Sequence, residues 1–177
     1  VEKNAAAVGR MTGEGKPKIL QYNLLKEDIE KCKAYLDVNG LPSTNFLDIV
    51  ERYDDLGLRN GTYDIATGKV VDLKKDYRGC YCVAFQQNGK DFKRRGYEPL
   101  EYDNAVYYCM VRLGLRCLPR IGVFEGVAEI SFVTSDLGKA FALAEKFNQY
   151  CIWNIDKWEE RRVSSEIYDA ETNPIKA

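Results

Sequence analysis

CLPRIGVFEGVAEISFVTS, residues 117–135, carries two runs of apolar and β-branched residues on either side of Glu125-Gly126. Runs of that length and composition around a Gly-containing turn predict two strands in a hairpin. On the second strand Glu129 and Ser131 fall on one face, because side chains alternate along a strand. The segments flanking the hairpin then decide the fold. Before it, from Tyr102, the spacing is helical: Asp103 is a candidate cap, with Val106, Cys109, Met110 and Leu113 inward and Gly114 as the stop. After it, Ser135 or Asp136 starts a helix whose buried stripe is Leu137, Ala140, Phe141, Ala144 and Phe147, and CIWNI is a last strand.

Further upstream, GCYCVAFQQNGKDF, residues 79–92, predicts another hairpin turning at Asn88-Gly89. Cys80, Cys82 and Ala84 share one face of its first strand, and Tyr81, Val83 and Phe85 share the other. Both faces are apolar, which predicts a central, covered strand. TYDIATGKVVDL, residues 62–73, predicts a hairpin at Thr67-Gly68. Two helices precede the strands. Leu25, Ile29, Cys32 and Leu36 mark the first, stopped by Asn39-Gly40. Phe46, Leu47, Val50, Tyr53 and Leu56 mark the second, with Ser43 or Thr44 as its cap. Hairpins interrupted by helices predict α+β: an antiparallel or mixed sheet with helices packed on it and two N-terminal helices preceding. The division expected is a flexible arm at 1–18, a single domain at 19–156 and a surface tail at 157–177.

Composition narrows the function. The chain has 177 residues, 45% apolar and 30% charged, which suits one folded domain with a sizeable core. A net charge of -1 excludes a strongly basic nucleic-acid coat and a strongly acidic phosphate mimic, so any binding surface is local. No apolar run approaches the roughly 20 residues a membrane span needs, and the polar start lacks a secretory h-region. A cytoplasmic protein with no membrane partner is expected.

There is no histidine. That removes Ser-His-Asp and Cys-His catalysis and His-ligated metals, and leaves carboxylates, Lys, Tyr, Ser or Cys for any chemistry. The six cysteines, Cys32, Cys80, Cys82, Cys109, Cys117 and Cys151, match no zinc spacing and read as reduced, buried small hydrophobes. GEGKPK near the start lacks the phosphate-loop spacing, and Ser135 with Lys139 is a cap and a solvated lysine. No metal, no cofactor and no catalytic residues are expected.

Two constellations remain. Between Asn104 and Phe124 there is no acid while Arg112, Arg116 and Arg120 fall there, and Lys90, Lys93, Arg94 and Arg95 crowd the preceding hairpin. With Tyr102, Tyr107 and Tyr108 nearby, this is a candidate partner-binding surface for a phosphate backbone or a protein, or else an ordinary charged rim. Glu129 and Ser131, approached by Gln149, are a candidate polar pocket, though each also has a plain use in closing backbone hydrogen bonds.

The stretch Asn104 to Asn154 resembles a small bacterial and phage domain family of uncharacterised function. The resemblance is carried by Asn104 opening a helix, the glycine-bearing hairpin, Glu129-Ile130-Ser131-Phe132, and ALAEKFNQYCIW with Gln149 leading into a short apolar strand. It covers under a third of the chain, leaves the N-terminal helices outside, and supplies no catalytic residues. By type, the chain also looks like phage accessory proteins such as anti-CRISPR inhibitors. That likeness implies a non-catalytic binding or inhibitory protein that occludes a protein or nucleoprotein partner. The alternatives are a nucleic-acid-binding protein using the Arg/Tyr surface, and a small carboxylate- or cysteine-dependent enzyme using Glu129 or a thiol. A homodimer is also open, since an exposed aromatic face serves a second copy equally well.

Overall fold

The structure, a computed structural model, describes residues 24–84, 96, 98–147, 149 and 151–163. The arm at 1–18, the Asn88-Gly89 turn, Lys90, Lys93, Arg94, Arg95 and the tail from 164 onward lie outside the described residues.

Helix α1 spans Lys26–Val38 and α2 spans Phe46–Asp55. Strand β1 is Gly61–Tyr63, the short helix α3 is Leu73–Asp76, and β2 is Tyr81–Ala84. Helix α4 covers Pro99–Leu113, and β3 (Arg120–Phe124) and β4 (Val127–Thr134) form the hairpin. Helix α5 (Leu137–Lys146), β5 (Cys151–Asn154) and β6 (Glu159–Arg162) complete the order. The fold is α+β. Its six strands run β1-β3-β4-β2-β5-β6 across one sheet, and every pairing is antiparallel.

The β3–β4 turn uses Glu125 at φ 50 and Gly126 at φ 84, two successive positive values that match the twist of a two-residue hairpin. Glu125 is held there by its amide, which donates to Asn60 Oδ1 at 2.6 Å. Strand β2 lies between β4 and β5, so the predicted central position of Cys82, Val83 and Ala84 holds. Residues 61–73 make a looser structure than a ladder. Tyr63 bridges Val70 alone, and Asp64 takes the turn with its amide on the Lys69 carbonyl at 2.8 Å.

One face of the sheet carries the main core. Val83, Ile121, Ile130, Phe132 and Ile152 meet Phe46, Leu47 and Val50 from α2 and Ala140, Phe141 and Ala144 from α5. Helix α4 packs in turn on α1, α2 and α5, which makes it largely interior. The opposite face is thinner. Leu73, Cys82, Val133 and Ile155 form a small second cluster there, with Tyr77, Cys80 and Trp153 against it.

Several sequence expectations are corrected. Leu56 is exposed rather than part of the α2 stripe, because the helix ends at Asp55, and Ile49 is buried in its place. Neither Ser43 nor Thr44 caps α2: Asn45 takes that position in a left-handed conformation with no side-chain bond of its own. Asp103 does not open α4 but lies inside it. The helix begins at Pro99, which fits the first helical position because its missing N–H has no partner to lose. Glu101 steadies that start by accepting from the Glu98 amide at 2.7 Å. Finally, the domain does not end at 156. Glu159–Arg162 forms an edge strand on β5, so the surface tail cannot begin at 157.

Candidate functional site

The predicted Arg/Tyr surface divides across the molecule. Tyr102 and Tyr107 are interior, at 0% and 1% exposure, and cannot meet a partner. The helical spacing that brings them near Tyr108 also turns them inward: residues 102, 103, 105, 106, 107, 109 and 110 of α4 are all buried. Tyr107 instead ties the α1–α2 connection, its hydroxyl donating to the Ser43 carbonyl. Burial first, then the Asp103 charge, pushes the Tyr107 phenol above its ordinary range. Tyr102 is pushed up chiefly by burial, against a backbone hydrogen bond from Ile130 that acts the other way.

Asp103 supplies the cap that the sequence placed elsewhere. Its Oδ2 accepts from the Asn45 amide at 3.0 Å and its Oδ1 from the Phe46 amide at 2.9 Å, so one carboxylate on α4 closes the N-terminus of α2. Burial raises its carboxyl above the usual range, while those two amides and Lys33 pull it back and Asp48 adds to the rise.

Tyr108, half-buried, is the one member of the tyrosine trio left for a partner. Its ring meets Phe147 edge-to-face at 6.0 Å between centroids. Arg112 lies 5.5 Å from the ring centre and donates from Nε to the Tyr108 hydroxyl at 3.3 Å, and Lys146 sits 4.9 Å from the same centre. Arg112 and Arg116 are placed at the C-terminal end of α4 and just beyond it, both reached by solvent. Arg120 belongs elsewhere. It is held on β3 by a hydrogen bond to the Tyr77 hydroxyl, by stacking 5.1 Å from that ring and by Asp64 at 3.9 Å. Pairing of Arg120 with Ser131 places it on the thin face of the sheet, beside the end of α3 and away from Tyr108, Arg112 and Arg116.

The predicted polar pocket is buried throughout: Glu129 at 0%, Ser131 at 2% and Gln149 at 5% exposure. Glu129 and Ser131 share a face, opposite Gly122 and Arg120 in the β3 register. Gln149 has the plainer use. Its backbone amide donates to the Ala144 carbonyl at 2.7 Å and its side-chain nitrogen to the Phe147 carbonyl at 3.2 Å, closing the end of α5. Both Glu129 carboxyl oxygens, Ser131 Oγ and Gln149 Oε1 make no hydrogen bond among the described residues. Burial, with the Asp54 charge added, drives the Glu129 carboxyl well above the usual carboxylate range, so it is held as the neutral acid.

The cysteines behave as packing groups. Burial pushes Cys32 and Cys117 up to about 11 and Cys82 up to about 12, and raises Cys80 and Cys109 as well. Cys117 Sγ donates to the Val133 carbonyl at 3.0 Å, and Cys82 lies in the second cluster. Thiols so protonated are poor nucleophiles and poor metal ligands. Among the described residues no three Cys, Asp or Glu side chains gather as a metal site.

The tryptophans are the residues that motif reasoning passes over. Trp158, half exposed, has a left-handed backbone at φ 56 in the link from β5 to β6, and its ring meets Trp153 edge-to-face at 5.5 Å. Lys74 from α3 sits 5.6 Å from the Trp158 ring centre. A bulky residue in that backbone region costs on the order of 1 kcal/mol or more, which marks the position.

Compared with models of protein families, with curated proteins and with solved structures, the chain finds no match. Among the described residues no helix is long and apolar enough to cross a membrane.

Proposed function

We propose that this chain is a non-catalytic binding protein that acts by covering a surface of a protein or nucleoprotein partner, in the manner of a phage or mobile-element inhibitor. The contact is made by the solvent-reached end of α4: Tyr108, Arg112 and Arg116, with Lys146 beside them. The observation that carries this reading is the fixed arrangement of Arg112 on the Tyr108 ring. An arginine already stacked and hydrogen-bonded loses less side-chain freedom on binding, and Arg and Tyr are prominent among binding hot spots. The cluster favours a protein surface over a bare strand of nucleic acid. Base stacking needs an open aromatic face, and the Tyr108 ring is already covered by two cations.

The test compares the wild-type chain with Arg112→Glu/Arg116→Glu in co-precipitation from host lysate, with bound proteins identified by mass spectrometry and folding checked by circular dichroism. Loss of the same captured proteins in a folded variant is the expected result. Capture of an unchanged set sinks this choice of surface. In parallel, titration of a labelled oligonucleotide across salt concentrations measures the nucleic-acid reading, which requires affinity that falls steeply with salt. A dimer in native mass spectrometry that Arg112→Glu converts to monomer identifies the partner as a second copy.

A further inference from the structure

An asparagine side chain is most open to attack by its own main chain when glycine follows, because glycine has no Cβ to hinder the approach and reaches conformations closed to other residues. The chain has three such pairs, Asn39-Gly40, Asn60-Gly61 and Asn88-Gly89, and the first two fall among the described residues. We infer that Asn39 is a site of spontaneous modification in the folded protein, its side-chain amide converting to a carboxylate, and that Asn60 is protected. The site is independent of the α4 surface and stands whether or not that surface binds a partner.

The chemistry needs only the chain and water. The Gly40 nitrogen gives up its proton and bonds to Asn39 Cγ, the Cγ–Nδ2 bond breaks, and ammonia leaves with that proton, so that a cyclic imide remains. Water then adds to one imide carbonyl and breaks its bond to nitrogen. Opening at Cγ yields aspartate. Opening at the main-chain carbonyl yields isoaspartate, in which the chain runs on through Cγ.

The two pairs differ in what holds them. Asn39 closes α1 and Gly40 follows at φ 74, both exposed. Asn39 Nδ2 donates to the Tyr35 carbonyl at 2.8 Å, and the Gly40 amide donates to the Asp37 carbonyl at 3.1 Å. Both bonds belong to the last turn of one helix, and helix ends fray at little cost. Asn60 is held by another element. Its Oδ1 accepts from the Glu125 amide at 2.6 Å, which ties the carbonyl open to attack to the β3–β4 turn, while Gly61 pairs with Val123 on β3. Thr62 and Tyr63, the rest of that strand, are buried. Bringing Asn60 Cγ to the Gly61 nitrogen therefore requires the strand to leave the sheet, a larger opening.

Conversion at Asn39 loosens α1. The new carboxylate lies beside Asp37 at a helix end with no basic residue in its last turn, where the helix dipole disfavours an anion. Isoaspartate also lengthens the main chain, so the Gly40 and Leu41 amides lose their register with the Asp37 and Leu36 carbonyls.

The experiment ages the full chain at mildly alkaline pH, native in buffer and unfolded in guanidinium, and reads amide-to-acid conversion at each asparagine by peptide mapping with tandem mass spectrometry. In guanidinium Asn39 and Asn60 should convert within about threefold of each other, since both precede glycine. In the native protein Asn39 should convert about tenfold faster than Asn60 or more, through its cheaper local opening. Equal native rates, or a faster Asn60, overturn the assignment. So does an Asn39 that stays intact in buffer while the unfolded chain converts fully. Asn39→Gln, whose longer side chain disfavours the imide, should keep its denaturation midpoint on ageing while that of the wild type falls. An equal fall in both overturns the loosening of α1.

Discussion

Replacing Glu129 by Gln should make the folded protein less sensitive to pH, in a direction opposite to the usual effect of a native carboxylate. The native carboxyl is fully buried, has no hydrogen bond on either oxygen among the described residues, and is raised by burial and by Asp54. In the unfolded chain a glutamate titrates near its ordinary value of about 4.3. Between that value and the raised native one, the unfolded state has released a proton that the folded state keeps. The native state then binds more protons, so stability declines as pH rises through this window and levels off above the native midpoint. The slope is about 1.4 kcal/mol per pH unit for one proton. Glutamine is close in shape to the protonated acid and cannot ionise. The variant should match the wild type to within about 1 kcal/mol at the acid end of the window, then gain on it steadily with pH. Asp103, also raised, keeps its own smaller decline in both proteins. Urea denaturation at a series of pH values, with both unfolding free energies plotted together, measures the divergence. Parallel curves would show that Glu129 is ionised in the folded state and refute its burial as a neutral acid.

Removing the carboxylate that caps α2 should be expensive: Asp103→Ala leaves two amides open and should cost about 2–4 kcal/mol in chemical denaturation, with Asp103→Asn costing less because one acceptor survives. Tyr107→Phe should cost about 1 kcal/mol in the same assay by removing the bond to the Ser43 carbonyl, without altering the surface. Thiol labelling of the reduced native protein should leave Cys82 and Cys109 unmodified while the unfolded chain reacts at all six cysteines; rapid native labelling of either would contradict their burial. Gly126→Ala should destabilise the β3–β4 hairpin by about 1 kcal/mol, read as a lower denaturation midpoint, because a Cβ is disfavoured at φ 84 even where space is open.

The elements legible in the sequence are those whose partners are close along the chain. The stripe of α5, its Asp136 cap donated to by the Lys139 amide at 3.0 Å, and the Glu125-Gly126 hairpin all rest on local spacing and turn chemistry. The central place of β2 follows from two apolar faces on one short strand. The features that escape a sequence reading depend on residues far apart. Asp103 looks like a local cap because caps are normally found beside the helix they serve, yet it serves a helix 57 residues earlier. Strand β6 is hidden because EERR has no apolar alternation, its pairing being fixed by the hairpin with β5. For the candidate site, residue types are readable and facing is not. Tyr107 and Tyr108 are adjacent in sequence, and a helix sends one inward and leaves the other half-exposed. Trp153 and Trp158 carry no motif, and only the hairpin brings their rings together.

The reach of Asp103 across to Asn45 and Phe46 bears on how the chain acquires its structure. A ten-residue helix is marginal by itself, and α2 has no cap of its own making. While the ribosome has delivered only the first third of the sequence, that helix lacks its terminal acceptor and the strands its apolar side covers. Its completion waits for α4, and the sheet waits as well, since β1 must find β3 and β2 must find β4 across long intervening segments. An N-terminal fragment ending before α4 should therefore behave as an unfolded chain rather than as a smaller folded unit.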